Sequence, residues 1–153
     1  GWNLSGIATI QGGRPFSVIL TQDISASFNL ADRPNLVPGV SWKPADQGPN
    51  HWINPGAFSI PALGTFGNLG RNTLRGPEFH NIDLSLLKES RIGATRRLQV
   101  RAEVFNLANH PNFGMPSASL SPSLSSASLA SFGVIGTTAG SERQIQFGLR
   151  LGF

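Results

Sequence analysis

From Arg143 to Phe153 the chain alternates without a break. Ile145, Phe147, Leu149, Leu151 and Phe153 share one side, and Gln144, Gln146, Gly148, Arg150 and Gly152 share the other. A β-strand has a period of two, so this segment has one apolar face and one polar face. A strand that crosses a bilayer needs about 9–11 residues of this kind. Few soluble folds have a use for a closing strand that ends its apolar face on an aromatic residue.

The totals agree with a β-rich, weakly charged chain. With 153 residues there is material for one domain. Charged residues make up only 13%, about half the usual share. Polarity comes instead from Ser, Asn, Thr, Gln and 18 glycines. No apolar run approaches the ~18 residues of a membrane helix, so any membrane crossing must use a barrel. The absence of cysteine rules out a disulfide framework, thiolate chemistry and Cys-ligated zinc. The net charge is +4, and all basic residues except Lys43 and Lys88 are arginines. Arg91, Arg96, Arg97 and Arg101 cluster around one apparent turn, which reads as solvated turn charge rather than a nucleic-acid surface. The chain opens on Gly1, not Met, so it is expected to be processed or to be a piece of a longer protein.

Alternation recurs elsewhere. Trp2, Leu4, Ala8 and Ile10 oppose Asn3, Ser5, Ile7 and Thr9, and Phe16, Val18 and Leu20 follow a glycine-rich break. Residues 1–20 therefore predict one bent strand or a hairpin. Ile82, Leu84 and Leu86 predict a strand over 79–90, and Leu98, Val100, Ala102 and Val104 one over 97–108, with the register failing after Val104. Residues 21–78 are rich in proline and glycine, and 109–141 contain a Ser-rich run over 117–131, read either as part helix or as a flexible loop. The expected fold is all-β, an antiparallel up-and-down meander of about four long strands (1–20, 79–90, 97–108, 142–153) with two long loops (21–78, 109–141). A short turn on one side and long loops on the other are the pattern of an outer-membrane barrel.

Several phrases, in order, carry a resemblance. They are Gly1 to Gly6, Gly13 to Val18, Arg33 to Val37, Trp52 to Phe58, Gly64 to Pro77, Asn81 to Lys88, Arg101 to Gly114 and the ending. Together they resemble the C-terminal barrel portion of TonB-dependent outer-membrane receptors, in the Oar-like group that bears a carboxypeptidase-regulatory domain. The resemblance implies a fragment of a transmembrane β-barrel in a Gram-negative outer membrane. It implies uptake of an unidentified solute, no catalysis and no cofactor. It also implies a terminal assembly signal made of Ile145, Phe147, Leu149, Leu151 and Phe153. The implied partners are the rest of the barrel and its plug, the outer-membrane assembly machinery and, through strand edges, further copies; nucleic acid is not among them. On this reading 21–78 and 109–141 lie outside the cell and 91–96 is a periplasmic turn. One departure is that the chain has no Tyr, whereas barrels carry aromatic girdles at both interfaces.

Reactive chemistry is sparse. No nucleophile elbow, zinc-protease helix motif, P-loop or dinucleotide fingerprint is present. The glycines at 64, 67 and 70 follow no predicted strand and carry no phosphate-binding Lys. His51, His80 and His110 form no local metal-ligand pair. Candidate ligand-contact residues in the loops are Trp42, His51, Trp52 and His110, with Phe58 and Phe66 adding aromatic surface that either stacks on a ligand such as a sugar or packs the loop on itself. Asp83, Arg101, Glu103 and Arg150 fall on polar strand faces, where they line a solute path or form cross-strand ion pairs. Two other functions compete with the receptor reading. One is a soluble β-rich module acting alone as a hydrolase or glycan-binding domain, and the other is a self-assembling oligomer or filament built by strand-edge pairing.

Overall fold

The computed structural model describes residues 1–153. Its strands are β1 (Trp2–Gln11), β2 (Pro15–Phe16), β3 (Ile19–Leu20), β4 (Asn35–Leu36), β5 (Phe58–Ser59), β6 (Leu74–Arg75), β7 (Phe79–Ile92), β8 (Arg96–Phe105), β9 (Ser119–Leu120) and β10 (Gln144–Gly152). A 3₁₀ turn at Pro55–Ala57 and a single α-helical turn, α1 (Ser126–Leu129), complete the list. The chain divides into two compact units, one of residues 1–12, 78–112 and 139–153 and one of 13–77 and 113–138.

The first unit is an antiparallel sheet in the order β1-β7-β8-β10. Its strands are 10, 14, 10 and 9 residues long, which suits a membrane crossing. Only β7 and β8 are joined by a tight connection, Gly93–Thr95, where Gly93 takes a φ of 71°. That left-handed conformation suits glycine, which has no Cβ to clash. Directly opposed residues point to the same face, so the register sorts the side chains. Leu4, Leu86, Ala102 and Phe147 form one row of one face, and Gly6, Leu84, Val104 and Ile145 form the next. The other face carries rows such as Ser5, Ser85, Glu103 and Gln146. The sheet does not close, and β1 and β10 are both edges.

The second unit has its own apolar core of Val18, Leu20, Ile53, Leu69, Leu74, Leu120 and Phe132, each 4% exposed or less. Three two-stranded ladders bind it: β2 with β6, β4 with β5, and β3 with β9. The last is parallel and joins Ile19–Leu20 to Ser119–Leu120 across about 100 residues of chain. The two stretches expected as long loops thus share one core. Residues 13–20 neither run on from the first strand nor fold back on it as a hairpin: β1 stops at Gln11, and 15–16 and 19–20 pair with β6 and β9. Gly13 approaches the backbone of Gly76 too closely for any Cβ, and Val18 and Leu20 are drawn into the loop core. In the Ser-rich run, Leu120 is fully buried and Leu129 packs against the core, while Ser125 caps α1 by accepting from the Ser128 amide at 3.2 Å.

Candidate functional site

The polar face of the sheet holds the candidate site, at the end away from the β7–β8 turn. There β8 stops at Phe105, and Asn106 turns the chain with a φ of 50°. Asparagine tolerates this conformation because its short amide bonds locally. Every hydrogen-bonding group of the Asn106 side chain is used. Its Nδ2 donates to the carbonyls of His110 and Ser141, both at 3.1 Å, and its Oδ1 accepts from the His110 amide at 3.0 Å. The Asn106 amide donates to Asp83 Oδ1 at 2.9 Å, and Asn81 Nδ2 donates to the same oxygen at 2.9 Å. Asn112 accepts from the His80 amide and donates to the His80 carbonyl, both at 2.8 Å. Asn109 Oδ1 accepts from the Arg143 amide at 3.3 Å.

These bonds leave a cavity of about 300 Å³ over the polar face. Phe79 and Phe105 give it apolar wall. Asn81, Asp83, Gln144 and Gln146 give it carboxamides and one carboxylate. Aromatic faces with a few fixed polar groups are the usual make-up of a small-molecule site. Sequence reasoning singled out Asp83 here but not the rest. The signal it overlooked is the spacing of Asn106, Asn109 and Asn112, three residues apart, immediately after a strand.

The other expected polar-face residues lie further toward the turn. Arg101 Nε reaches Glu103 Oε2 at 3.4 Å, and Arg97 Nη1 reaches Glu89 Oε1 at 3.5 Å. Arg101 and Glu103 are two apart on one strand, so their ion pair runs along β8. Asp83 pairs with amides, not with an arginine. Arg150 stands opposite Gln99 and borders a second shallow cavity with Glu89 and Arg97.

The candidate ligand-contact residues separate. In the loop unit, Trp42 and Trp52 pack against the core, and Trp52 Nε1 donates to the Arg75 carbonyl at 3.0 Å. Phe58 is buried edge-to-face against Phe132, while Phe66 stays exposed. His51 Nδ1 lies 3.1 Å from Asp46 Oδ1, and this contact holds the Asp46 carboxyl below its usual range. His110 belongs to the sheet unit, where its ring stands edge-on to His80 at 5.8 Å. The glycine-rich run at 64–70 is a packing device: a Cβ on Gly67 would strike the backbone oxygens of Arg33 and Pro34.

The opposite face of the sheet is apolar and bare. Phe147 is 81% exposed, Leu149 76% and Ile10 76%. A continuous apolar sheet face of this extent is untenable in water and natural against lipid. No helix is long and apolar enough to cross a membrane. A family model described as the outer membrane beta barrel domain matches residues 1–146. The chain belongs to that family. It is an outer-membrane protein, and its two-faced sheet is part of a barrel wall. Comparison with curated proteins and with solved structures finds no match. In transmembrane barrels generally, the apolar face of a wall strand meets lipid and the polar face the interior.

Proposed function

We propose that this chain is the C-terminal part of a TonB-dependent receptor barrel that takes up a solute without chemically altering it. The observation that supports this most is the polar face itself. It offers a cavity bordered by Phe79, Phe105, Asn81, Asp83 and two glutamines, and no nucleophile–base pair accompanies it. A site of that kind holds and releases a solute. The resemblance over Asn81 to Lys88 and Arg101 to Gly114 supports the receptor assignment. The two open edges, β1 and β10, need strand neighbours, which the rest of the barrel supplies. In this reading the last strand, from Ile145 to Phe153, is the element handed to the assembly machinery. Residues 13–77 and 113–138 belong to the outer side, because outer-membrane barrels keep short turns on the periplasmic side.

The test is coupling to TonB. The full receptor, purified in detergent, is mixed with the purified periplasmic C-terminal domain of TonB. Specific, saturable binding is expected. No binding by a correctly folded receptor would remove the TonB assignment and leave an outer-membrane barrel of another kind.

A further inference from the structure

The apolar face changes character at the end that bears the Gly93–Thr95 turn. Two cations stand there, Lys88 and Arg96, on the same side as Leu86 and Leu98. Each lies over an aromatic ring. Lys88 Nζ is 4.7 Å from the ring centroid of Trp2, and the Arg96 guanidinium is 5.7 Å from that of Phe153. No carboxylate side chain shares this face. Asp83, Glu89 and Glu103 all fall on the polar side, where Glu89 and Glu103 take Arg97 and Arg101. On the polar side Arg97 and Arg101 thus have carboxylate partners within the protein while Arg91 and Arg150 have none; on the apolar side neither Lys88 nor Arg96 has one.

The two rings also lie at one height. Trp2 is opposite Lys88, and Phe153 follows Gly152 in the register, level with Arg96 and Ile92. Phe153 is therefore displaced toward the turn by the four residues from Lys88 to Ile92, and sideways by the three strand steps from β1 to β10. At about 3.4 Å per residue and 4.8 Å per strand, both offsets are about 14 Å. The line joining the rings thus crosses the strands at about 45°, near the tilt of about 35–45° in outer-membrane barrels. Its sense agrees as well. Gly1 and Glu89 exchange both backbone hydrogen bonds, which places β7 to the left of β1 when β1 points up and the apolar face is viewed. In a right-handed barrel, a horizontal line followed to the left then drops toward the turn, as the rings do.

We propose that Trp2–Lys88 and Arg96–Phe153 form a collar at the periplasmic interface that binds the headgroup phosphates of anionic phospholipids. The rings sit at the hydrocarbon boundary. The ammonium and guanidinium groups extend to the phosphate layer, where no carboxylate side chain competes for them. This also accounts for a girdle without Tyr: the polar handle that Phe lacks is supplied by the cation stacked on it. The inference needs only the barrel, and it holds whatever the barrel carries.

The full barrel is reconstituted in vesicles of phosphatidylcholine containing phosphatidylglycerol, and the lipids it retains are counted by native mass spectrometry. Lys88→Gln/Arg96→Gln is expected to lower retention of phosphatidylglycerol relative to phosphatidylcholine by about tenfold. Lys88→Arg/Arg96→Lys is expected to keep it. Unchanged selectivity in the Gln variant would overturn the proposal. A second measurement does not depend on that variant folding. Fluorescent labels on Trp2→Cys and Phe153→Cys, the two positions that the offsets place level, in a barrel cleared of other cysteines, are quenched by lipids brominated at known depths. Equal depth for both, shallower than a label on Val100→Cys, is expected. A depth difference near 10 Å would contradict the collar.

Discussion

Asn112 pairs with His80 as a strand would. Its carboxamide accepts from the His80 amide and donates to the His80 carbonyl, each at 2.8 Å. The β7–β8 ladder ends at Leu84 and Val104, and beyond it the Leu107 amide donates to the Ile82 carbonyl at 2.8 Å, which leaves His80, near the start of β7, without a backbone partner on that side. Asn112, only 4% exposed, stands in for one. Asn112→Ala leaves both His80 groups unsatisfied, at a cost of about 1–3 kcal/mol. Hydrogen exchange at the His80 amide should quicken accordingly, and Ile82 should be less affected. Unaltered exchange at His80 would show that the pairing contributes nothing.

Gly67 should not tolerate a methyl group. The space for its Cβ is occupied by the carbonyl groups of Arg33 and Pro34. The same approach allows Leu69 to donate to the Pro34 carbonyl at 3.1 Å, Asn68 Oδ1 to accept from the Leu36 amide at 2.7 Å and Asn35 Oδ1 to accept from the Asn68 amide at 2.9 Å. Gly67→Ala is expected to cost about 2–3 kcal/mol, seen as faster proteolysis within 13–77. Gly64→Ala serves as a milder comparison, because its Cβ would meet nothing, although its φ of 76° still carries some strain.

Acid should loosen the segment around Asp32. Its carboxylate accepts from the Ser25 amide at 2.7 Å and the Ser25 hydroxyl at 2.8 Å. The Ser25 amide is the largest influence, and together these bonds hold the Asp32 pKa below its ordinary value of 3.8 despite opposing burial. A depressed carboxylate stabilises the fold above its unfolded pKa and loses that contribution as pH falls through the folded value. Protection of the Ser25 amide should therefore be constant at neutral pH and fall only below about pH 4. Asp32→Asn should abolish that pH dependence. A loss of protection centred near pH 6 would implicate another group.

The strands were legible in the sequence, and the loop unit was not. Ile145 to Phe153, and Leu98 to Val104, alternate so cleanly because one side of each strand meets lipid and the other the interior. Local period therefore reports tertiary environment directly. Residues 16–20 alternate too, but for a different reason: Val18 and Leu20 enter a compact core that includes Leu120, about 100 residues away. No local signal distinguishes that partner from a neighbouring strand. The cavity was hidden for a similar cause. Asn81, Gln144 and Gln146 look like ordinary solvated residues until the register places them beside Phe79 and Phe105. The histidines illustrate the limit from the other side: His110 meets His80, which was not among its expected companions, because Asn106 and Asn112 fold the segment between them back onto β7.

A charge on the bare face should be costly. Leu149 lies mid-strand on β10, opposite Val100, with 76% of its surface exposed. Leu149→Lys is expected to lose about 2–4 kcal/mol in a bilayer and to lower the outer-membrane level of the full protein, as should deletion of Phe153. Arg150→Gln, one residue away but on the interior face, should leave that level near wild type. Equal levels for Leu149→Lys and wild type would reverse the assignment of faces.

The most direct test of the account reads both faces of one strand. Spin labels are placed singly at residues 144–152 in the full barrel, reconstituted in lipid. Accessibility to oxygen, which concentrates in lipid, and to a water-soluble nickel chelate is measured at each. Oxygen accessibility should peak at 145, 147, 149 and 151, and nickel accessibility at 144, 146, 148, 150 and 152. A profile with the opposite phase, or with no period of two, would contradict a barrel wall built as described.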